Sequence, residues 1–110
     1  METNRTIEIL RTYNFAQKNH WQLMCDLSNN DYDIRYFDGR QSANIYLDEF
    51  LQTQEDNFNI DEILKCLADN LEEYTQSQDE YYKENNCYNE FLRGMVDETE
   101  LLIRIVKQDY

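Results

Sequence analysis

Residues 31–47, DYDIRYFDGRQSANIYL, carry the reading on which the fold turns. Tyr32, Ile34 and Tyr36 alternate with Asp31, Asp33, Arg35 and Phe37, and beyond Asp38-Gly39 the positions Gln41, Ala43, Ile45 and Leu47 repeat the same period of two. That period sends successive side chains to opposite faces of a strand, and Asp-Gly is the dipeptide that best tolerates a tight hairpin turn. The stretch therefore predicts a β-hairpin over about 31–47. The segments on either side carry a helical period. The expected fold class is α+β, predominantly helical, with three or four helices and one β-hairpin in a single compact domain spanning 1–110.

Upstream of the hairpin, Ile7, Leu10, Tyr13, Ala16, His20, Leu23 or Met24, and Leu27 recur every three or four residues, as on one face of a helix. They predict a first helix over residues 6–27 with this stripe turned inward, a bend at Lys18-Asn19 and an end at Ser28-Asn29-Asn30, where short polar side chains compete for backbone hydrogen bonds. Downstream, Asn59-x-x-Glu62 is a capping box flanked by the apolar pair Phe58 and Ile63. Ile60, Ile63, Leu64, Leu67, Leu71 and Tyr74 continue at helical spacing, which predicts a helix over 60–75. Ser77-x-x-Glu80 repeats the capping pattern and opens a third helix with Tyr81, Asn85, Tyr88, Phe91 or Leu92, and Met95 on its inner face. Gly94 costs a helix interior about 1 kcal/mol relative to Ala, and Asp97-x-x-Glu100 offers a fresh start, so a break is expected there. Residues 101–106 fit either a strand or a helix, and helix is the stronger reading.

The chain has 110 residues, 23 Asp plus Glu against 10 Lys plus Arg, and a net charge of −13. Its isoelectric point is about 4.2. Such a balance excludes direct binding to a phosphate backbone or an anionic membrane, both of which need clustered cations, and points to a basic partner. Mean hydropathy is −0.89, yet 26 of the 110 residues are Leu, Ile, Val or Phe, enough for a core. Cys25, Cys66 and Cys87 are odd in number and widely spaced, which fits neither a disulfide framework nor a zinc ribbon. With no apolar run of membrane-spanning length and no secretory signal pattern, a cytoplasmic location is expected.

The charge is unevenly placed. Residues 1–40 carry five cations and six carboxylates, whereas 41–90 carry two cations, Lys65 and Lys83, and 13 carboxylates. The acids fall in three groups: Asp48, Glu49, Glu55 and Asp56 on the connection; Asp61, Asp69, Glu72 and Glu73 on the next helix; Asp79, Glu80, Glu84 and Glu90 on the one after. Carboxylates four residues apart on a helix stand about 6 Å apart along its axis and form rows of anions, at a cost of a few tenths of a kcal/mol per like-charged pair. Tyr74 and Tyr82 lie among them as candidate anchors, because tyrosine is enriched at binding hot spots, while Tyr81 and Tyr88 read as core.

Catalytic chemistry has no comparable signature. His20 is the sole histidine and sits on the inner stripe beside Trp21, where it reads as a packed side chain; no metal-ligand spacing, calcium loop or glycine-rich phosphate loop occurs. A non-enzyme without cofactor or metal is expected.

A short, strongly acidic, proline-free chain rich in Tyr, Asn and Asp, with its anions concentrated between 48 and 90, resembles the acidic DNA-mimic inhibitors of phages and plasmids, of the anti-CRISPR and antirestriction type. The resemblance is compositional and carries over no individual residue. It implies a partner that is a basic nucleic-acid-binding protein, a defence nuclease or its complex, whose nucleic-acid channel the acids would occupy in the host cytoplasm. An immunity protein against a basic nuclease toxin would use the same acids and tyrosines, and a small helical adaptor would instead show an exposed apolar patch on the first helix. A homodimer stays open.

Overall fold

In the computed structural model, which describes residues 2–54 and 59–109 and gives the backbone alone at 2–4 and 109, four helices follow one another: α1 (Glu2–Leu27), α2 (Asp31–Thr53), α3 (Ile60–Asn85) and α4 (Glu90–Asp109). Among the described residues there is no strand. The expected α+β class and its hairpin over 31–47 are thus overturned, and the domain is all-helical.

Asn30 decides residues 31–47. Its side chain accepts hydrogen bonds from the Tyr32 amide at 2.8 Å and the Asp33 amide at 3.3 Å. Two of the four amides orphaned at a helix start are satisfied this way, and Asp31 and Asp33 add negative charge at the positive end of the helix dipole. From there the buried positions Gly39, Ala43, Asn44, Leu47 and Leu51 follow a helical period, and the alternation of Tyr32, Ile34 and Tyr36 has no structural counterpart.

The chain's two glycines lie where α2 crosses α4. A methyl group on Gly39 would run into the Phe91 carbonyl of α4, and one on Gly94 into the Tyr36 carbonyl and the Arg40 amide of α2. Neither glycine has a positive φ, so both serve close approach and not a turn. Asp38-Gly39 is therefore helix interior, and the break expected at Gly94 is absent because α4 runs through it. Residues 101–106 are helical as expected.

α3 also passes uninterrupted through Ser77-x-x-Glu80, so the two helices expected over 60–75 and from 77 are one. The true break comes at Asn86, in the left-handed region at φ 56°, ahead of Asn89. Asn89 accepts from the Leu92 amide at 3.0 Å, and Gln78 on α3 bonds both the amide and the carbonyl of Asn89, at 2.8 and 2.9 Å. The turn is thereby tied back to the helix it leaves.

Ordered pairs such as Tyr36 with Asp97 and Arg40 with Glu98 show that α2 and α4 run parallel as the central pair. α1 packs along α2, and α3 along α4. Ile7, Leu10, Leu47, Leu51, Ile60, Ile63, Leu67, Leu102 and Val106 form one apolar core drawn from all four helices. Beside it lies a polar core. Glu98, fully buried on α4, accepts from Arg40 Nε at 2.9 Å, Asn44 Nδ2 at 2.8 Å, Trp21 Nε1 at 3.2 Å and Gln17 Nε2 at 3.3 Å. Asn14 on α1 and Asn44 on α2, both wholly buried, exchange further bonds, Asn44 Nδ2 to Asn14 Oδ1 at 2.8 Å and Asn14 Nδ2 to the Asn44 carbonyl at 2.9 Å.

The inward face of α1 corrects a further expectation. Ile7, Leu10, Asn14, Gln17 and Trp21 turn toward the bundle, while Ala16, His20, Leu23 and Leu27 are exposed. His20 is therefore a surface residue, set edge-on against Trp21 at 4.7 Å between ring centroids. α1 continues through Lys18-Asn19 as one helix.

Candidate functional site

The acidic face is built on α3, and the start of that helix is what positions it. Asn59 accepts hydrogen bonds from the Asp61 and Glu62 amides at 2.9 and 3.4 Å, as its capping pattern predicts; the flanking Phe58 lies outside the described residues. The helix is 26 residues long, or about 39 Å at 1.5 Å per residue. Ile60, Ile63 and Leu67 are buried, and Leu71, Tyr74, Gln78 and Tyr81 continue the same side half-buried. Asp61, Glu62, Asp69, Glu72, Glu73, Asp79, Glu80 and Glu84 are all exposed. At 3.6 residues per turn they fall within an arc of about 140° on the opposite side.

Lys65 and Lys83 are the cations in that arc, and among the described residues neither forms an ion pair. The face is a strip of uncompensated carboxylates. Seven of the expected site residues, Asp61, Asp69, Glu72, Glu73, Asp79, Glu80 and Glu84, are brought together there. Glu62 stands with them although the sequence reading leaves it out of the acidic groups; its helical position is the signal that places it there, while its capping pattern points only to a local task.

The remaining expected residues are dispersed. Asp48, on α2, is half-buried and holds Lys18 Nζ and Asn14 Nδ2 at 2.8 Å each, so it joins α1 to α2 and is committed to the fold. Glu90 opens α4 half-buried and pairs with Arg93 at 3.3 Å. Glu49 is exposed on α2. Glu55 and Asp56 lie outside the described residues.

Tyr74 packs on the inner side of α3, and burial, with smaller contributions from Tyr46, Glu73 and Cys66, pushes its hydroxyl up to about 12. Its place in the helical period turns it away from the arc that carries the acids. Tyr82 is exposed at the end of the acidic strip, and its ring lies 4.8 Å from that of Tyr88 at an interplanar angle of 32°. Tyr88, expected in the core, is 60% exposed because the turn at Asn86 carries it out of the helix. A cleft of about 250 Å³ lined by Thr75, Gln78, Asp79, Tyr88, Arg93 and Val96 adjoins this pair. The acidic strip thus ends near two exposed tyrosine rings in tilted contact beside this cleft, an arrangement suited to anchoring a partner surface.

Nucleophilic and metal chemistry find little support in the geometry. Burial and the neighbouring Asp38 push the Cys25 thiol up to about 11, which keeps it protonated and unreactive, and burial raises Cys66 as well. Among the described residues no three His, Cys, Asp or Glu side chains converge as metal ligands. No helix among them is long and apolar enough to cross a membrane.

Comparison with known proteins finds no matching family model, no matching curated protein and no matching solved structure. The fold defines an all-helical domain with an acidic face on α3.

Proposed function

We propose that this chain is a non-enzymatic acidic inhibitor that binds a basic nucleic-acid-binding protein, a nuclease of the host-defence type being the best fit, and occupies its nucleic-acid channel by charge mimicry in the cytoplasm. One observation carries the reading: eight exposed carboxylates share one side of α3, with two lysines among them that form no ion pair among the described residues. An uninterrupted helix supports it better than two short ones would, since the strip from Asp61 to Glu84 extends over about 35 Å of one helix. Cationic grooves with low-dielectric walls strengthen such contacts and speed encounter. Tyr82 and Tyr88 supply the short-range anchor that long-range attraction lacks.

The test combines capture with competition. The chain used as bait at low salt should retain a basic nucleic-acid-binding protein, and Asp69→Lys with Glu73→Lys should slow that association by an order of magnitude or more while leaving far-ultraviolet circular dichroism unchanged. Excess nucleic-acid ligand added first should block binding. A stable ternary complex of partner, nucleic acid and this chain would sink channel occupation, and unaltered association kinetics in the charge-reversed variant would remove electrostatic docking altogether.

A further inference from the structure

Tyr82 stands on the last turn of α3, and Tyr88 follows the left-handed residue Asn86 that ends the helix. Their ring centroids lie 4.8 Å apart at an interplanar angle of 32°, close to the separation of two rings joined by a single carbon–carbon bond. Both rings are exposed, at 42% and 60%, so an oxidant in solution reaches them. The backbone beneath them is tied down, since Gln78 bonds the amide and carbonyl of Asn89 and Asn89 caps α4 through the Leu92 amide. The other described tyrosines are placed differently. Tyr13, Tyr74 and Tyr81 are half-buried, and Tyr36 gives its hydroxyl to Asp97. Tyr32 and Tyr46 are exposed but make no ring contact among the described residues.

We propose that Tyr82 and Tyr88 are an oxidative cross-linking site, joined within one chain as dityrosine by hydrogen peroxide and a haem peroxidase. Each phenol gives up one electron and one proton to the peroxidase, and the two electrons and two protons reduce one peroxide to two waters. The two phenoxyl radicals couple at the carbons ortho to their hydroxyls. Each of those carbons then passes its hydrogen back to the phenol oxygen, which restores both aromatic rings. The chain ends lighter by two hydrogen atoms. Proximity favours coupling inside the chain, because two groups held in contact see each other at a high effective concentration. Charge works the same way, since chains of net charge −13 keep one another's tyrosines apart. The exposed thiol of Cys87, next to Tyr88 in the chain, diverts part of the oxidant toward disulfides, which a thiol reductant reverses while the carbon–carbon bond stays. The new bond ties the end of α3 to the segment that leads into α4. The site needs only this turn, so it stands independently of the function proposed for the acidic strip.

The full chain at micromolar concentration, treated with peroxide and a haem peroxidase and then reduced with dithiothreitol, decides the matter. Trypsin cleavage after Lys65, Lys83 and Arg93 separates Tyr82 from Tyr88. Dityrosine fluorescence is expected in a product of single-chain mass, and after digestion in a species that joins peptides 66–83 and 84–93. Tyr82→Phe and Tyr88→Phe keep the rings and drop the hydroxyls, so each should abolish that species with circular dichroism unchanged. Gln78→Ala, which unties the turn, should lower the yield severalfold. No dityrosine under conditions that couple N-acetyltyrosine amide would overturn the site, and so would a joined species that persists in either phenylalanine variant. A doubled mass that survives reduction would show coupling between chains in its place. An unchanged yield in Gln78→Ala would overturn the part assigned to the turn.

Discussion

Arg40 Nη2 lies 2.8 Å from Glu98 Oε1, joining α2 to α4 at a point where the glutamate is wholly buried. The guanidinium also stacks over the Trp21 ring of α1, 4.3 Å from its centroid, and donates from Nη1 to the Tyr36 hydroxyl at 3.0 Å. Tyr36 in turn donates to Asp97 at 2.6 Å. Burial disfavours the charge on Arg40, but the hydrogen bonds and charge of Glu98 outweigh it and hold the guanidinium above its ordinary value. Three helices meet in one charged and hydrogen-bonded network, which penalises any packing that leaves its members unpaired.

Removing one charge of that pair should be costly. Glu98→Gln keeps an acceptor of similar shape but leaves Arg40 without its counter-charge, and the expected loss is about 3–5 kcal/mol in urea unfolding. Combining it with Arg40→Met should cost less than the two single losses added together, because the orphaned cation is gone. Strict additivity in the double-mutant cycle would show that the pair is not coupled.

Gly39→Ala and Gly94→Ala should each destabilise the protein, by about 1–3 kcal/mol or more if the backbones must separate. In an exposed helix the same change would stabilise by about 1 kcal/mol. The sign of the shift in thermal midpoint therefore separates a helix crossing from ordinary helix interior.

Stability should rise with salt from low to physiological ionic strength, because self-repulsion at −13 opposes the folded state and counterions screen it over about 8–10 Å. The gain should shrink in Asp69→Lys with Glu73→Lys, which relieves the strip on α3. A melting temperature indifferent to salt in both proteins would mean that the carboxylates do not repel one another appreciably.

Tyr74 predicts an alkaline limb. Its hydroxyl is raised from 10.0 to about 12 in the folded chain, so the unfolded chain loses this proton first. The stabilisation is complete below about 10 and is lost as the pH climbs toward 12. Unfolding midpoints measured across that window should fall with pH, and Tyr74→Phe should flatten the slope; a parallel decline in the variant would assign the effect to other groups.

The acidic strip was legible because a helix is a local object. Asn59 as cap, the apolar spacing from Ile60 to Tyr74, and the positions of Asp69, Glu73 and Glu80 all follow from residues within one or two turns of each other. Asp48, Glu90 and Tyr88 were not legible as members or non-members of that surface. The state of Asp48 depends on Lys18 and Asn14, a helix away; Glu90 and Tyr88 depend on where α3 ends, which Asn86 and the Gln78 clasp on Asn89 decide.

The sequence by itself determined the net charge, the helical character of 6–27, of 60–75 and of 101–106, and the side of α3 on which the acids stand, because composition and short-range periodicity are properties of the chain alone. Tertiary structure decided the rest. Residues 31–47 became helix because Asn30 caps them and Gly39 lets α2 approach the backbone of α4, a benefit invisible until α4 is beside it. The same contact kept Gly94 inside a helix. α1 offered two stripes at helical spacing, and the one bearing Asn14, Gln17 and Trp21 turned inward because Glu98, Arg40 and Asn44 wait there to satisfy it. A buried polar group is costly alone and stable when matched, so which stripe faces inward is set by the partners across the bundle and not by the stripe itself.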